Sequence, residues 1–221
     1  MGALAIQLRA ELRSRFDTPF EVCKRLEREQ IPTGIPAIDK LTEGGIPRGT
    51  LTEIYGTEST GRTALVFALL SQATQRGECC AWIDTAGAFD PASAVEAGAD
   101  LDRILWVNCQ GNAQHALKST DLLIQGGGFG LVVLDMADTP DATARRIPLA
   151  SWFRLRHAAE RTGAALVAVE RRINAQSCSA LQIEMRMQKQ FWIGKLLRGL
   201  LAQAQSKKHH LLKVAEFSAV R

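Results

Sequence analysis

The chain has 221 residues, 46% of them hydrophobic, and a formal net charge of +4, which suits one α/β domain with a short extension and a real core. Five cysteines, Cys23, Cys79, Cys80, Cys109 and Cys178, lack C-x-x-C spacing, so neither a disulfide framework nor a zinc site is indicated; the Cys79-Cys80 pair opening an apolar strand reads as buried thiols. With no charged-then-apolar leader and no long apolar span, the expectation is a cytoplasmic protein that does not engage a membrane.

The charge is unevenly spread. From Arg171 onward there are ten Lys and Arg against Glu184 and Glu216, a local balance of +8, which leaves −4 for the first 170 residues. Such an imbalance points to an acidic partner, nucleic acid or an acidic protein surface, beside the plainer reading of an ordinary solvated face. The residues that carry it are Arg171, Arg172, Arg186, Lys195, Arg198, Lys207 and Lys208.

In chain order, Leu4, Leu8, Leu12 and Phe16 stand at strict i, i+4 spacing among Arg and Glu, which predicts an amphipathic helix within an extension over residues 1–30. That ridge either docks on the core or serves as an arm for a partner or another copy. Residues 31–49 are rich in Gly and Pro and read as an ordered lead-in, with a short apolar turn at Ile38 and Leu41. Residues 51–70 then read as buried strand, glycine-flanked loop and helix.

The loop is Gly56-Thr57-Glu58-Ser59-Thr60-Gly61-Arg62-Thr63, against the phosphate-binding pattern G-x-x-x-x-G-K-[ST]. In such a loop, successive backbone N–H groups wrap phosphates at the positive end of a helix, and the lysine reaches the β and γ oxygens. Here Arg62 holds the lysine position, offering a planar fork on a longer stem in place of a compact ammonium, while Thr63 keeps the hydroxyl that touches Mg²⁺. The plainer alternative is a glycine-flanked turn serving only as a tight connection.

Further strands are expected at residues 79–84, 104–107, 131–134 and 164–169, with helices between them from Pro91, from Ala113 to Ile124 and from Pro148. This alternation implies a largely parallel sheet with right-handed crossovers. The run Leu131-Val132-Val133-Leu134-Asp135 has the Walker B form, an apolar strand closed by an acid that holds Mg²⁺ through water. Residues 180–188 alternate apolar and polar, a strand with one wet face, and residues 200–205 are expected to pair with it antiparallel.

TGIPAIDKLTEGGIPRGTLTEIYGTESTGRTAL, then CAWIDTAGAFDP, EAGADLDRILW and LVVLDMAD, resemble in order and nearly in register the ATPase core of bacterial RecA recombinases over residues 31–169. The resemblance implies an α/β RecA-like P-loop core over residues 31–221, with a mostly parallel central sheet flanked by helices and antiparallel C-terminal strands. It also implies a nucleotide site for ATP and Mg²⁺ formed by Gly56, Glu58, Ser59, Thr60, Gly61, Arg62, Thr63, Asp135 and, against the base, Asp90, with Thr63 and Asp135 on the metal. Ala86 stands where the family has its water-activating glutamate, Ser93 where it has an adenine-stacking tyrosine, and Glu170 near its glutamine sensor. Only about nine residues separate the strand at 164–169 from the next, where the family has a long DNA-binding loop, and the loop after Asp135 is shortened too.

These departures make the chain similar to the ImuA family. The role this implies is a non-catalytic accessory protein in damage-induced translesion synthesis, with RecA, an ImuB-type polymerase-like adaptor and an error-prone polymerase as partners, DNA as a further contact, and no cofactor required. Two alternatives stand beside it: a DNA-dependent ATPase of recombination or repair, using Glu58 in place of the missing glutamate, and a SulA-like division inhibitor.

Overall fold

A computed structural model describes residues 29–208 and 211–220, with backbone alone at Leu197, Lys207, Lys208, Leu211, Leu212 and Val220. Of the helical extension expected over residues 1–30, residues 1–28 lie outside the described residues, as does Cys23, and Gln30 belongs to a strand.

Among the described residues there are ten strands and six α-helices, which alternate through most of the order. Strand β1 (Gln30–Ile31) and β2 (Ile46–Pro47) form a two-stranded antiparallel sheet around α1 (Pro36–Thr42). The lead-in is therefore a small structured unit, and the apolar turn expected at Ile38 and Leu41 is a helix with both residues buried. Pro36 opens it, its fixed φ suiting a first helical turn, and Glu43 closes it in the left-handed region at φ 64°.

The main sheet has eight strands in the order β10-β9-β8-β3-β7-β6-β4-β5. These are β3 (Thr50–Gly56), β4 (Cys80–Asp84), β5 (Ile104–Asn108), β6 (Leu131–Asp135), β7 (Ala165–Glu170), β8 (Leu181–Ile193), β9 (Leu196–Lys208) and β10 (Leu211–Val220). From β8 to β5 the neighbours are parallel, and β8, β9 and β10 are antiparallel to one another. Helices α2 (Arg62–Gln75), α3 (Pro91–Glu96), α4 (Ala113–Gly126), α5 (Asp141–Ala144) and α6 (Leu149–Thr162) make the connections.

The parallel strands are apolar on both faces because both are covered. Leu131 and Val133 of β6 join one core with α1 and α2, while Val132 and Leu134 join a second core with α4 and α6. In β4, Cys80 and Trp82 belong to the first core and Ala81 and Ile83 to the second. Cys79, expected to be buried, is exposed, because the chain enters the sheet only at Cys80; burial pushes the Cys80 thiol up to about 12. At the far edge, β5 leaves Leu105 and Trp106 half-exposed. Among the described residues, no helix is long and apolar enough to cross a membrane.

Two features exceed the sequence expectation. Strand β8 continues five residues past Gln188, and β10 adds a third antiparallel strand to the expected hairpin.

Candidate nucleotide site

In the parallel part of the sheet, register brings the carboxyl ends of the strands together. Asp84 of β4 is level with Asp135 of β6, Asp135 with Val169 of β7, and Glu170 with Tyr55 of β3. The turn from Gly56 to Gly61 leaves the sheet at this edge and enters α2, as in a phosphate-binding loop.

Two glycines are required by the turn. A Cβ on Gly56 would collide with the Met185 carbonyl oxygen, and Gly61 sits at φ +86° against Ala202 and Leu200. Ser59 also takes a left-handed φ of 57°, and the Thr60 hydroxyl bonds back to the Thr57 carbonyl at 2.8 Å, fastening the loop. No side chain caps the first turn of α2, so its amide donors remain open toward the loop, and Thr63 on that turn is exposed.

The residue at the lysine position behaves differently. Arg62 is buried, and its Nη1 donates to the backbone carbonyl of Glu170 at 2.7 Å. Burial lowers its pKa, a cost that the nearby Asp135, Asp138 and Glu58 charges partly offset. The guanidinium is thus tied to the end of β7. Glu58, on the loop itself, accepts from Arg171 Nη2 at 2.7 Å across the same opening.

Asp135 accepts the Ala137 N–H at 3.0 Å, and burial pushes its carboxyl up to about 6, reinforced by Asp84 and Asp138. Its neighbour Asp84 is fully engaged. Oδ1 accepts from the amides of Ala86, Gly87 and Ala88 at 3.2, 2.7 and 3.1 Å, and Oδ2 from the Phe89 amide at 2.8 Å and Trp106 Nε1 at 3.3 Å. Asp84 therefore folds the loop that carries Ala86, and Phe89 locks that loop into a cluster with Phe67, Trp82 and Trp106. Asp90 caps α3, accepting the amides of Ala92 and Ser93 and the Ser93 hydroxyl.

On the other side of β3 lies a pair of buried acids. Glu53 accepts from the amides of Asn174 and Ala175, the Ser179 hydroxyl and Gln182 Nε2, at 2.7–3.1 Å. Glu170, equally buried, has no well-formed hydrogen bond to either carboxyl oxygen, and burial beside Glu53 raises its pKa well above the carboxylate range. Burial beside Glu53 thus favours the protonated form of Glu170.

Measured against ATP and Mg²⁺, the uncapped first turn of α2 and the exposed Thr63 are the groups that could meet a phosphate and its metal, with Asp135 at the end of β6 as a further oxygen donor. Arg62 does not reach into the cradle, and no carboxylate stands at Ala86.

The basic residues do not gather into one patch. Arg171 and Arg172, paired with Glu58 and Asp141, flank the loop opening. Arg186 pairs with Glu184 on β8. Lys195 and Arg198 lie at the turn end of the β8–β9 hairpin, while Lys207 and Lys208 end β9, about 30 Å away at strand rise. Sequence reasoning missed Asp84 and Glu53; the signal for Asp84 was a run of small residues, Thr85 to Ala88, that lets successive amides converge on one carboxylate.

Residues 21–146 match the family described as the RecA N-terminal domain. The chain is 40% identical over 116 residues to Protein RecA of Symbiobacterium thermophilum, covering 52% of this chain and 33% of that one. It is 41% identical over 112 residues to Protein RecA of Deinococcus radiodurans (50% and 31%) and 37% over 111 residues to that of Rickettsia canadensis (50% and 32%). The matched stretch spans about a third of the length of these curated relatives. With this match laid over more than half of its residues, the chain belongs to the RecA N-terminal domain family.

Proposed function

We propose that this chain is a RecA-like accessory protein of the DNA-damage response, acting in the cytoplasm as a scaffold in translesion synthesis. In this reading it contacts RecA, an ImuB-type adaptor and an error-prone polymerase, and its P-loop holds ATP and Mg²⁺ weakly or not at all. The observation that carries the non-catalytic part is Arg62: the cation that should meet the phosphates donates instead to the Glu170 carbonyl inside the fold. Ala86 supports it, since its loop is organised by Asp84 and leaves no carboxylate to orient water.

When bound, ATP and Mg²⁺ would supply a charged ligand that orders the loop. Open amides at the start of α2 would receive the phosphates, and Thr63 and Asp135 would face the metal. Binding would also lower the pKa of Asp135, because a cation beside the carboxylate favours its charged form.

Purified protein is expected to show negligible ATP hydrolysis with or without DNA. Turnover at a recombinase's rate, abolished by Asp135→Ala, would instead establish the DNA-dependent ATPase reading. That alternative needs Glu58 to act as base, and Glu58 is held by Arg171. The scaffold is tested by nuclease-treated capture of the tagged chain from cells after DNA damage: RecA and polymerase-complex subunits should be recovered, and their absence sinks the reading.

A further inference from the structure

The β8–β9 hairpin outruns the sheet that supports it. Strand β3 pairs with β8 only from Leu181 to Met185, so from Arg186 to Ile193 that edge of β8 has no partner among the described residues. Strand β10 covers β9 only from Gly199 onward. What projects is a two-stranded ribbon whose edge, eight residues long, spans about 26 Å of unpaired N–H and C=O groups. Two-stranded ribbons are marginal alone in water.

Its side chains are equally unprovided for. Ile193 is 67% exposed, Leu196 56%, Trp192 54% and Phe191 43%. Around them stand Lys189, whose Nζ lies 5.5 Å from the Phe191 ring centroid, Lys195 and Arg198. Among the described residues none of these three has an ion-pair partner. From Met185 to Ala215 the sequence holds seven Lys and Arg and no acid.

We infer that this ribbon is a docking site for an extended acidic segment of a partner protein, which adds as a strand to the free edge of β8. Three independent features select that occupant. The open edge supplies main-chain hydrogen bonds to a strand of any sequence. The apolar tip offers anchors of the kind that dominate protein interfaces, aromatic and aliphatic at the centre with charge at the rim. The unpaired cations admit an acidic strand and repel a basic one, so the lysines that protect the edge from random pairing also choose its partner. Single-stranded nucleic acid would use the two rings and the cations, but it leaves Ile193 and Leu196, the most exposed side chains of the tip, without a π-face to meet. The inference deepens the scaffold reading and rests on it for the existence of a protein partner.

The test is fluorescence anisotropy with a labelled peptide of about twelve residues alternating Glu or Asp with Val or Phe. Wild-type chain should bind it saturably, and Trp192→Ala/Ile193→Ser and Lys189→Glu/Lys195→Glu should each weaken binding about tenfold or more while circular dichroism shows the fold unchanged. N-methylation of alternate peptide residues should weaken binding as strongly, because it removes the edge hydrogen bonds. Equal binding of a Lys-for-Glu peptide, undiminished binding by the variants, or indifference to N-methylation would overturn the site. An oligothymidine bound in preference and lost in the same variants would make it a nucleic-acid site, and self-association lost in them a contact between copies; either result overturns it too. If RecA and polymerase subunits are captured equally by wild type and variants, the site fails and the scaffold stands. If the peptide behaves as expected and those partners are never captured, the scaffold fails and the site stands.

Discussion

Asp84 and Glu170 each close a parallel strand, and each is 1% exposed, yet the chain serves their carboxyl groups in opposite ways. Asp84 receives five N–H donors, four of them from the backbone that follows it. Glu170 receives no well-formed hydrogen bond, and burial beside Glu53 raises its pKa well above the carboxylate range. Donors that turn to meet a buried carboxylate offset its desolvation; where they are missing, burial raises the pKa. Asp135 lies between these limits, with one amide donor and a carboxyl pushed up to about 6.

Removing the best-served charge should hurt most. Asp84→Ala is expected to destabilise the fold by about 3–5 kcal/mol, read by urea denaturation, because five donors lose their acceptor and the Ala86 loop loses its anchor. A loss under about 1 kcal/mol would mean that the loop holds itself. Next comes Arg62→Ala, expected to cost about 2 kcal/mol, a charged hydrogen bond offset by the burial cost of the guanidinium.

Asp135→Asn should act in the opposite sense. Its folded pKa, about 6, lies above the ordinary carboxyl value of 3.8, so the folded state holds the proton more tightly and stability falls as pH rises through that window. The amide removes this loss: the variant should be more stable by about 1–2 kcal/mol at pH 7.5 and no more stable than wild type below pH 4. Thermal melts at the two pH values check it, and a gain that persists in acid would assign the effect to packing. The smallest effect belongs to the exposed Glu58–Arg171 pair, where either alanine variant should shift stability by at most about 0.5 kcal/mol.

The parallel core was legible in the sequence because apolar runs closed by Asp84, Asp135 and Glu170 and punctuated by glycine leave few other arrangements. The same text showed that Arg62 replaces a lysine, but not where its side chain goes: that depends on the Glu170 carbonyl, more than a hundred residues later and brought near only by strand order. The end of β8 was misjudged for a physical reason. Alternation of apolar and polar residues has a cause where one face is buried, as from Leu181 to Met185; past Met187 both faces of the ribbon meet solvent, and Phe191-Trp192-Ile193 carries no period. Strand β10 escaped notice because only Phe217 among its described side chains is buried.

The strand order also sets a timetable. Strand β3 lies between β7 and β8, so the loop that follows it acquires its second wall, the Met185 carbonyl beside Gly56, only when residue 185 has been synthesised. At ribosomal speeds the gap between residues 56 and 185 is on the order of ten seconds. For that interval the nascent chain carries an open parallel edge at a strand that is buried in the finished sheet, and a chaperone or a neighbouring nascent chain has its best opportunity there. Frameshifts or stalls between residues 170 and 185 should therefore yield aggregates, where interruptions after residue 208 yield a closed sheet lacking only its last strand.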